Sequence, residues 1–286
     1  MADISAADVK RLREKTGAGM MECKNALTET GGDFASAEKL LKEKGLAALE
    51  TRVGRATNAG KVFVQLSSDG TTAVMVELAT ETDFVAMNPE FIDTGNSIAG
   101  IALEKGYTEP NDELSGIVAE LATKIRENMG LKRLKSLKAN AAEYLTHYIH
   151  GGGSIGVVVK CCSDKPEIFQ DGEVKDFIFS LALHIAAFNP YALDKSKIEP
   201  AYITDQEDIF RKQMEKDEKL KSKPANVLEG ILKGKLTKHL SEICLLEQGY
   251  VKDEKLTVAQ AIAECGKKAG AKLEITEFAY LKVGVE

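Results

Sequence analysis

The sequence contains no run of about 18 apolar residues, which argues against a membrane-spanning helix. Its opening, "MADISAADVKRLREK", lacks the apolar core of a secretory signal. It also lacks an excess of positive charge. The net charge is -6, with both signs interspersed, so no basic field points to nucleic acid as a direct partner. Cys23, Cys161, Cys162, Cys244 and Cys265 are odd in number and form no C-x-x-C pair. That pattern suits free thiols in a reducing cytoplasm better than a disulfide framework or a zinc site. No nucleophile–base pairing stands out, and acids such as Glu77 and Glu81 look unremarkable, so nothing demands catalysis. What remains is a 286-residue chain, 44% hydrophobic and 29% charged, large enough for one large domain or two smaller ones.

The first part reads as helical. Ser5 is an N-cap with Asp8 three residues on, Ile4 and Val9 sit at hydrophobic-staple positions, and Gly17 is the stop. A second helix is expected from Met20 to Glu29, with Met20, Cys23, Ala26 and Leu27 at helical spacing. Asp33 caps a third, whose stripe of Phe34, Ala37, Leu40 and Leu41 runs up to Gly45. Residues 1–46 thus form a three-helix module near the lower size limit for independent folding, and 47–60 read as a polar linker.

Beyond the linker, one plan is expected twice: hairpin, helices, closing strand. In 61–140, Val62–Leu66 and Ala73–Leu78 flank the turn Ser67–Gly70. Helices follow around Phe91–Glu104 and Glu113–Glu127, and "LKRLKSLKA" closes the plan. In 141–286, Tyr144–Ile149 and Ile155–Cys161 flank Gly151–Gly153. Helices follow around Val174–Ala187 and Val258–Lys267, with a last strand at Leu273–Val283. The fold class is therefore α+β, a two-subdomain core of small antiparallel sheets covered by helices. Two amphipathic helices interrupt the second half at about 203–240. Ile209, Phe210 and Met214 mark the first, Ser222-Lys223-Pro224 breaks the pattern, and Val227, Leu228, Ile231, Leu232, Leu236, His239 and Leu240 stripe the return. They make an antiparallel helical hairpin, either packed on the body or projecting as an arm. Self-association into a homodimer stays open.

Three motifs suggest other chemistry. "GGGSIG" (Gly151–Gly156) fits G-x-G-x-x-G and would support a nucleotide-cofactor enzyme. A strand follows it, however, where a dinucleotide site needs a helix. "GILKGKL" has the wrong spacing for a phosphate loop and lies inside a helical stripe. His147 and His150 lack a further ligand nearby, so neither a metal nor a bound cofactor is expected.

The stretch "TETDFVAMN" (Thr80–Asn88) follows a buried-strand pattern, and Phe84 there is either a core plug or a projecting tip. With "LREKTGAGMMECKNALTETGGD", "RENMGLKR", "YIHGGGSIGVVV" and "LHIAAFNP", it strongly resembles the bacterial translation elongation factor Ts family, in the expected order across nearly the whole chain. The resemblance implies a ubiquitin-associated (UBA-like) N-terminal module, a two-subdomain core and a coiled-coil hairpin. It further implies a cytoplasmic, non-enzymatic exchange factor that binds elongation factor Tu, both GDP-bound and nucleotide-free, and releases GDP by dislodging magnesium. The family assigns that step to the segment matched by Thr82, Asp83, Phe84 and Val85. Met20, Met21 and Lys24 match its N-terminal contact surface, one of the two methionines being open to a core role. His150 matches the histidine of the second contact. Met87 and Ser154 stand where the family commonly has basic residues, which bears on association rate. The chain ends at "LKVGVE", so contacts of the further C-terminal helix found in some members are not carried over.

Overall fold

The computed structural model describes residues 4–50, 52, 54–220 and 223–285, with the backbone alone at 46–50. The protein is α+β. Its elements are α1 (Ala6–Thr16), α2 (Met20–Glu29), α3 (Phe34–Glu50), β1 (Ala59–Leu66), β2 (Thr72–Thr80), α4 (Asp83–Ala86), α5 (Pro89–Lys105), α6 (Asp112–Ile125) and β3 (Met129–Lys138). There follow β4 (Glu143–His150), β5 (Ile155–Ser163), α7 (Gly172–Phe188), α8 (Pro200–Lys216), α9 (Ala225–Ile243), β6 (Gly249–Tyr250), β7 (Asp253–Thr257), α10 (Val258–Ala269) and β8 (Leu273–Lys282). Two compact units result. One gathers the described chain up to Lys138 with Ile149–Gly156 and the segment from Leu281. The other gathers Ala139–Tyr148 and Val157–Tyr280.

In the first unit the helix ends follow their capping residues. Ser5 accepts the Asp8 amide, and Gly17 closes α1 in the left-handed region at φ 68°. Val9, Leu12, Cys23, Ala26, Leu27, Ala37 and Leu41 bury together as the core of α1–α3. The third helix does not stop at Gly45 as expected; it continues to Glu50. Gly45 serves proximity instead: a Cβ there would come within 2.4 Å of the Thr123 methyl on α6. Cross-element ion pairs Lys42–Glu120 (2.9 Å) and Arg126–Glu22 join the same surfaces.

The sheet of this unit has the order β1–β2–β3, antiparallel throughout, with β2 central and buried at every position after Thr72. That burial explains why β2 reads as a near-continuous apolar run rather than an alternation. Glu77 breaks the run and is far from unremarkable. It is 3% exposed, holds Arg133 Nε at 2.5 Å and accepts the Gly284 amide at 3.1 Å. Helices α5 and α6 cover one face, contributing Phe91, Ile98, Leu114, Val118 and Leu121 to its core.

In the second unit the sheet order is β4–β5–β8, and β6 pairs with β7. The three glycines between β4 and β5 all have positive φ, which side-chain-bearing residues rarely adopt, so this turn demands glycine. A strand leads in and a strand leads out, the wrong setting for a dinucleotide loop. Helix α8 ends at Lys216, earlier than the expected break, because Asp217 turns its carboxylate onto the Lys219 amide. Ser222 of that break lies outside the described residues. The bases of α8 and α9 are knit by Ile198, Leu240 and Cys244, and by stacking of Tyr202 on Tyr191 and His239.

His184 is fully buried. Its Nδ1 accepts the Val251 amide at 3.2 Å, leaving the proton on Nε2, which donates to Gln248 Oε1 at 2.9 Å. Burial holds its pKa, and that of His147, below the ordinary histidine value of 6.5. A histidine kept neutral in the fold stabilises fully above the unfolded value, and that contribution is lost as pH falls from there through the lower folded value. Melting temperature should therefore drop between about pH 7 and pH 5, and less steeply for His184→Gln, in thermal scans by circular dichroism. A second expectation concerns Gly95 on α5, where a Cβ would lie 2.1 Å from the Phe63 ring. In an open helix glycine-to-alanine stabilises by about 1 kcal/mol. Here Gly95→Ala should destabilise by about 1–3 kcal/mol in urea titration, because overpacking outweighs propensity.

Candidate functional site

The buried strand β2 delivers the chain to Thr80, and three residues later, at Asp83, the helix α4 begins. Thr82 is its N-cap: its hydroxyl accepts the Val85 amide at 3.3 Å, and the Ala86 amide reaches the Thr82 carbonyl at 3.2 Å. Ala86 is buried and Val85 packs at the edge of the core. Turning those two inward turns Asp83 and Phe84 out. Phe84 is 79% exposed, which settles its alternatives in favour of a projecting tip. Met87 follows, also exposed at 59%, and Asn88 caps α5 through the Glu90 amide at 2.9 Å.

The base of the tip is bound by a segment to which the sequence reading gave no role, Arg126–Asn128. The Glu127 carboxylate accepts the Thr80 hydroxyl (2.9 Å), the Thr82 amide (3.1 Å) and the Thr82 hydroxyl (2.8 Å). The Asn128 amide donates to Glu81 at 2.6 Å, and Arg55 reaches the same carboxylate at 3.3 Å. The Asn128 amide first, then Arg55, holds the Glu81 carboxyl below its usual range. Arg126 ends α6 in the left-handed region at φ 68°, uncommon for a residue with a Cβ. Its guanidinium grips Glu22 with both terminal nitrogens. That grip, then the Gly19 amide, lowers the Glu22 pKa. The available signal was "RENM" itself: an arginine where a helix ends without glycine, followed by an acid and an amide.

Glu22 belongs to α2, whose outer face carries Met20 and Met21. Both are exposed, at 44% and 65%, so neither is core; Cys23, Ala26 and Leu27 fill that side instead. Lys24 is exposed on the same helix. Thus α2 and the tip are both fastened to one three-residue turn within the first unit. His150 is exposed at the entry of the glycine turn, where the Ser154 hydroxyl donates to the His150 carbonyl at 3.1 Å. Lys61 reaches the Gly152 carbonyl from β1. Among the described residues, no group of three His, Cys, Asp or Glu side chains is placed to hold a metal, and no helix is long and apolar enough to cross a membrane.

These features define an α+β protein with Phe84 and Met87 exposed on a short helical tip whose base is held by hydrogen bonds to Glu127 and Asn128. Residues 81–285 match the sequence pattern of the family described as Elongation factor TS. The chain is 50% identical to elongation factor Ts of Treponema denticola over 283 residues, covering 99% of each chain. It is 45% identical to that of Treponema pallidum (strain Nichols), covering 99% of this chain and 100% of the relative. With that of Borrelia recurrentis the identity is 43%, over 98% and 99%. The chain belongs to the elongation factor Ts family. Membership implies a nucleotide-exchange role in translation elongation, in partnership with elongation factor Tu.

Truncating an exposed side chain removes little packing. Phe84→Ala should therefore shift unfolding free energy by less than about 0.5 kcal/mol. Phe91→Ala, at a fully buried position, should cost about 3–5 kcal/mol. Parallel denaturant titrations check the pair.

Proposed function

We propose that this protein binds GDP-bound elongation factor Tu and speeds GDP release by inserting Asp83 and Phe84 beside the partner's magnesium and phosphate site. The observation that supports this is the outward Phe84 on a fixed helical base. An apolar wedge of that kind displaces the elements that support the magnesium ion, and Asp83 engages the polar groups uncovered. With the ion dislodged the diphosphate is less neutralised, GDP leaves, and GTP enters. Thr82 and Val85 hold the wedge; Met20, Met21 and Lys24 grip the partner's nucleotide-binding domain; His150 makes a contact farther from the nucleotide. Methionine suits such an adaptable apolar contact.

Magnitudes require several contacts. A ten-thousandfold acceleration would take about 5.5 kcal/mol at roughly 1.4 per decade. Burying one phenylalanine supplies only about 1.5–3 kcal/mol. Phe84 therefore needs the α2 face and the His150 turn beside it. Coupling is reciprocal, so GDP must weaken partner binding by the factor that the partner weakens GDP. No chemical step is required of this chain, and we read it as a non-enzyme acting in the cytoplasm, without a cofactor. In the same reading α1–α3 form a UBA-like module, and α8–α9 form an antiparallel coiled coil around Met214 and Leu232. The N-terminal module read from the sequence as 1–46 runs on to the end of α3 at Glu50, and the core subdomains are 61–140 and 141–286, with the hairpin as an insertion at about 203–240.

Release of labelled GDP from elongation factor Tu tests the proposal. Phe84→Ala should slow stimulated release by at least about tenfold, the share carried by one buried aromatic side chain. Asp83→Ala should slow it too, with a smaller effect once magnesium is chelated. Normal release by Phe84→Ala would overturn the wedge. Calorimetric binding of GDP or NAD to this chain alone would instead favour a cofactor-dependent enzyme.

A further inference from the structure

We propose that Glu127 is a positioning residue for nucleotide exchange: its carboxylate sets the angle at which the tip presents Phe84. The inference rests on the wedge reading above and extends it to a residue outside the tip. Helix α4 has four residues. One turn fixes many dihedrals for a single backbone bond, so so short a helix does not persist unaided. Its orientation must be imposed from outside.

The bonds that impose it run in one line. Glu127 receives the Thr82 amide and hydroxyl, and that same hydroxyl accepts the Val85 amide one turn on. The Thr82 oxygen thus donates once and accepts once, leaving no freedom for its rotor. The second bond to Oε2, from the Thr80 hydroxyl, comes from the fully buried end of β2. Glu127 cannot drift, because its neighbours are both tied. Arg126 is bound bidentately to Glu22, and Asn128 donates its amide to Glu81 and its side chain to the Arg55 carbonyl at 2.8 Å. A wedge acts only if its apolar group arrives in the correct place, so a loosened tip is competent for only a fraction of the time. Other surfaces still dock the partner. Losing Glu127 should therefore lower the maximal rate more than it raises the concentration needed to reach half of it.

The experiment measures labelled-GDP release from elongation factor Tu against concentration of the full-length chain, with melting curves for every variant. The variants are Glu127→Ala, Glu127→Gln, Phe84→Ala and the double Glu127→Ala/Phe84→Ala. Glu127→Ala should lower the maximal rate about tenfold, with the half-saturating concentration within about threefold, as a reduced competent fraction requires. Glu127→Gln keeps one acceptor oxygen and should recover part of the rate. In the Phe84→Ala background, Glu127→Ala should cost nothing further. An equal loss in both backgrounds, or a normal rate for Glu127→Ala, would overturn the proposal. Should Glu127→Ala fail to fold, hydrogen exchange on Glu127→Gln decides. Faster exchange of the Ala86 and Met87 amides at unchanged melting supports the clamp, and unchanged protection sinks it. A normal rate for Phe84→Ala alone marks failure of the wedge reading, recognisable because tip-amide protection in Glu127→Gln still changes.

Discussion

A projecting side chain is useful only if something immobile stands behind it, and in this protein that support is a carboxylate. Glu127 accepts three hydrogen bonds from the end of β2 and the cap of α4. Charge-assisted bonds of this kind are roughly twice as strong as neutral ones. The strand that feeds them is itself fixed, being central in its sheet and buried along almost its whole length. Rigidity therefore passes from the hydrophobic core, through β2, to an exposed aromatic ring.

The same logic recurs at Glu77. Removing a carboxylate from water is costly unless its lone pairs are filled, and here Arg133 and the Gly284 amide fill them. Arg133 also donates to the Lys282 carbonyl at 2.6 Å. The result fastens the segment beyond β8 to the sheet of the first unit. The glycine turn is held comparably by Lys61, and the Ser154 hydroxyl closes it on the His150 carbonyl. Ser154 thus supplies a local bond to the turn. Met87, like Phe84, is exposed.

The helical hairpin shows a different balance. At its base, Leu240 and Cys244 are buried, and the backbone is tied by the Tyr191 amide to the Ile243 carbonyl and the Leu245 amide to the Ala192 carbonyl, both at 2.9 Å. Farther along, Ile209 and Val227 remain 43% and 40% exposed. Met214 and Leu232, on the same two helices, are buried.

Much of this was legible in the residues. Caps at Ser5 and Asp33, the turn at Ser67–Gly70 and the order of strands and helices follow from local rules, because capping, turn chemistry and periodicity act over a few positions. The family resemblance, too, was written in short motifs. Gly45 misled because a glycine needed for close approach to Thr123 looks in sequence like a helix stop. The roles of Glu77 and Glu127 were invisible for a related reason: each carboxylate takes its partners from residues about 45 to 207 positions away. The sequence by itself determined the elements, the family and the candidate tip. Only the tertiary structure decided that Phe84 faces outward, that Met20 and Met21 both lie at the surface, and that Glu127 is what the tip stands on. Burial and hydrogen bonding across distant segments are properties of the packed chain, and no local pattern encodes them.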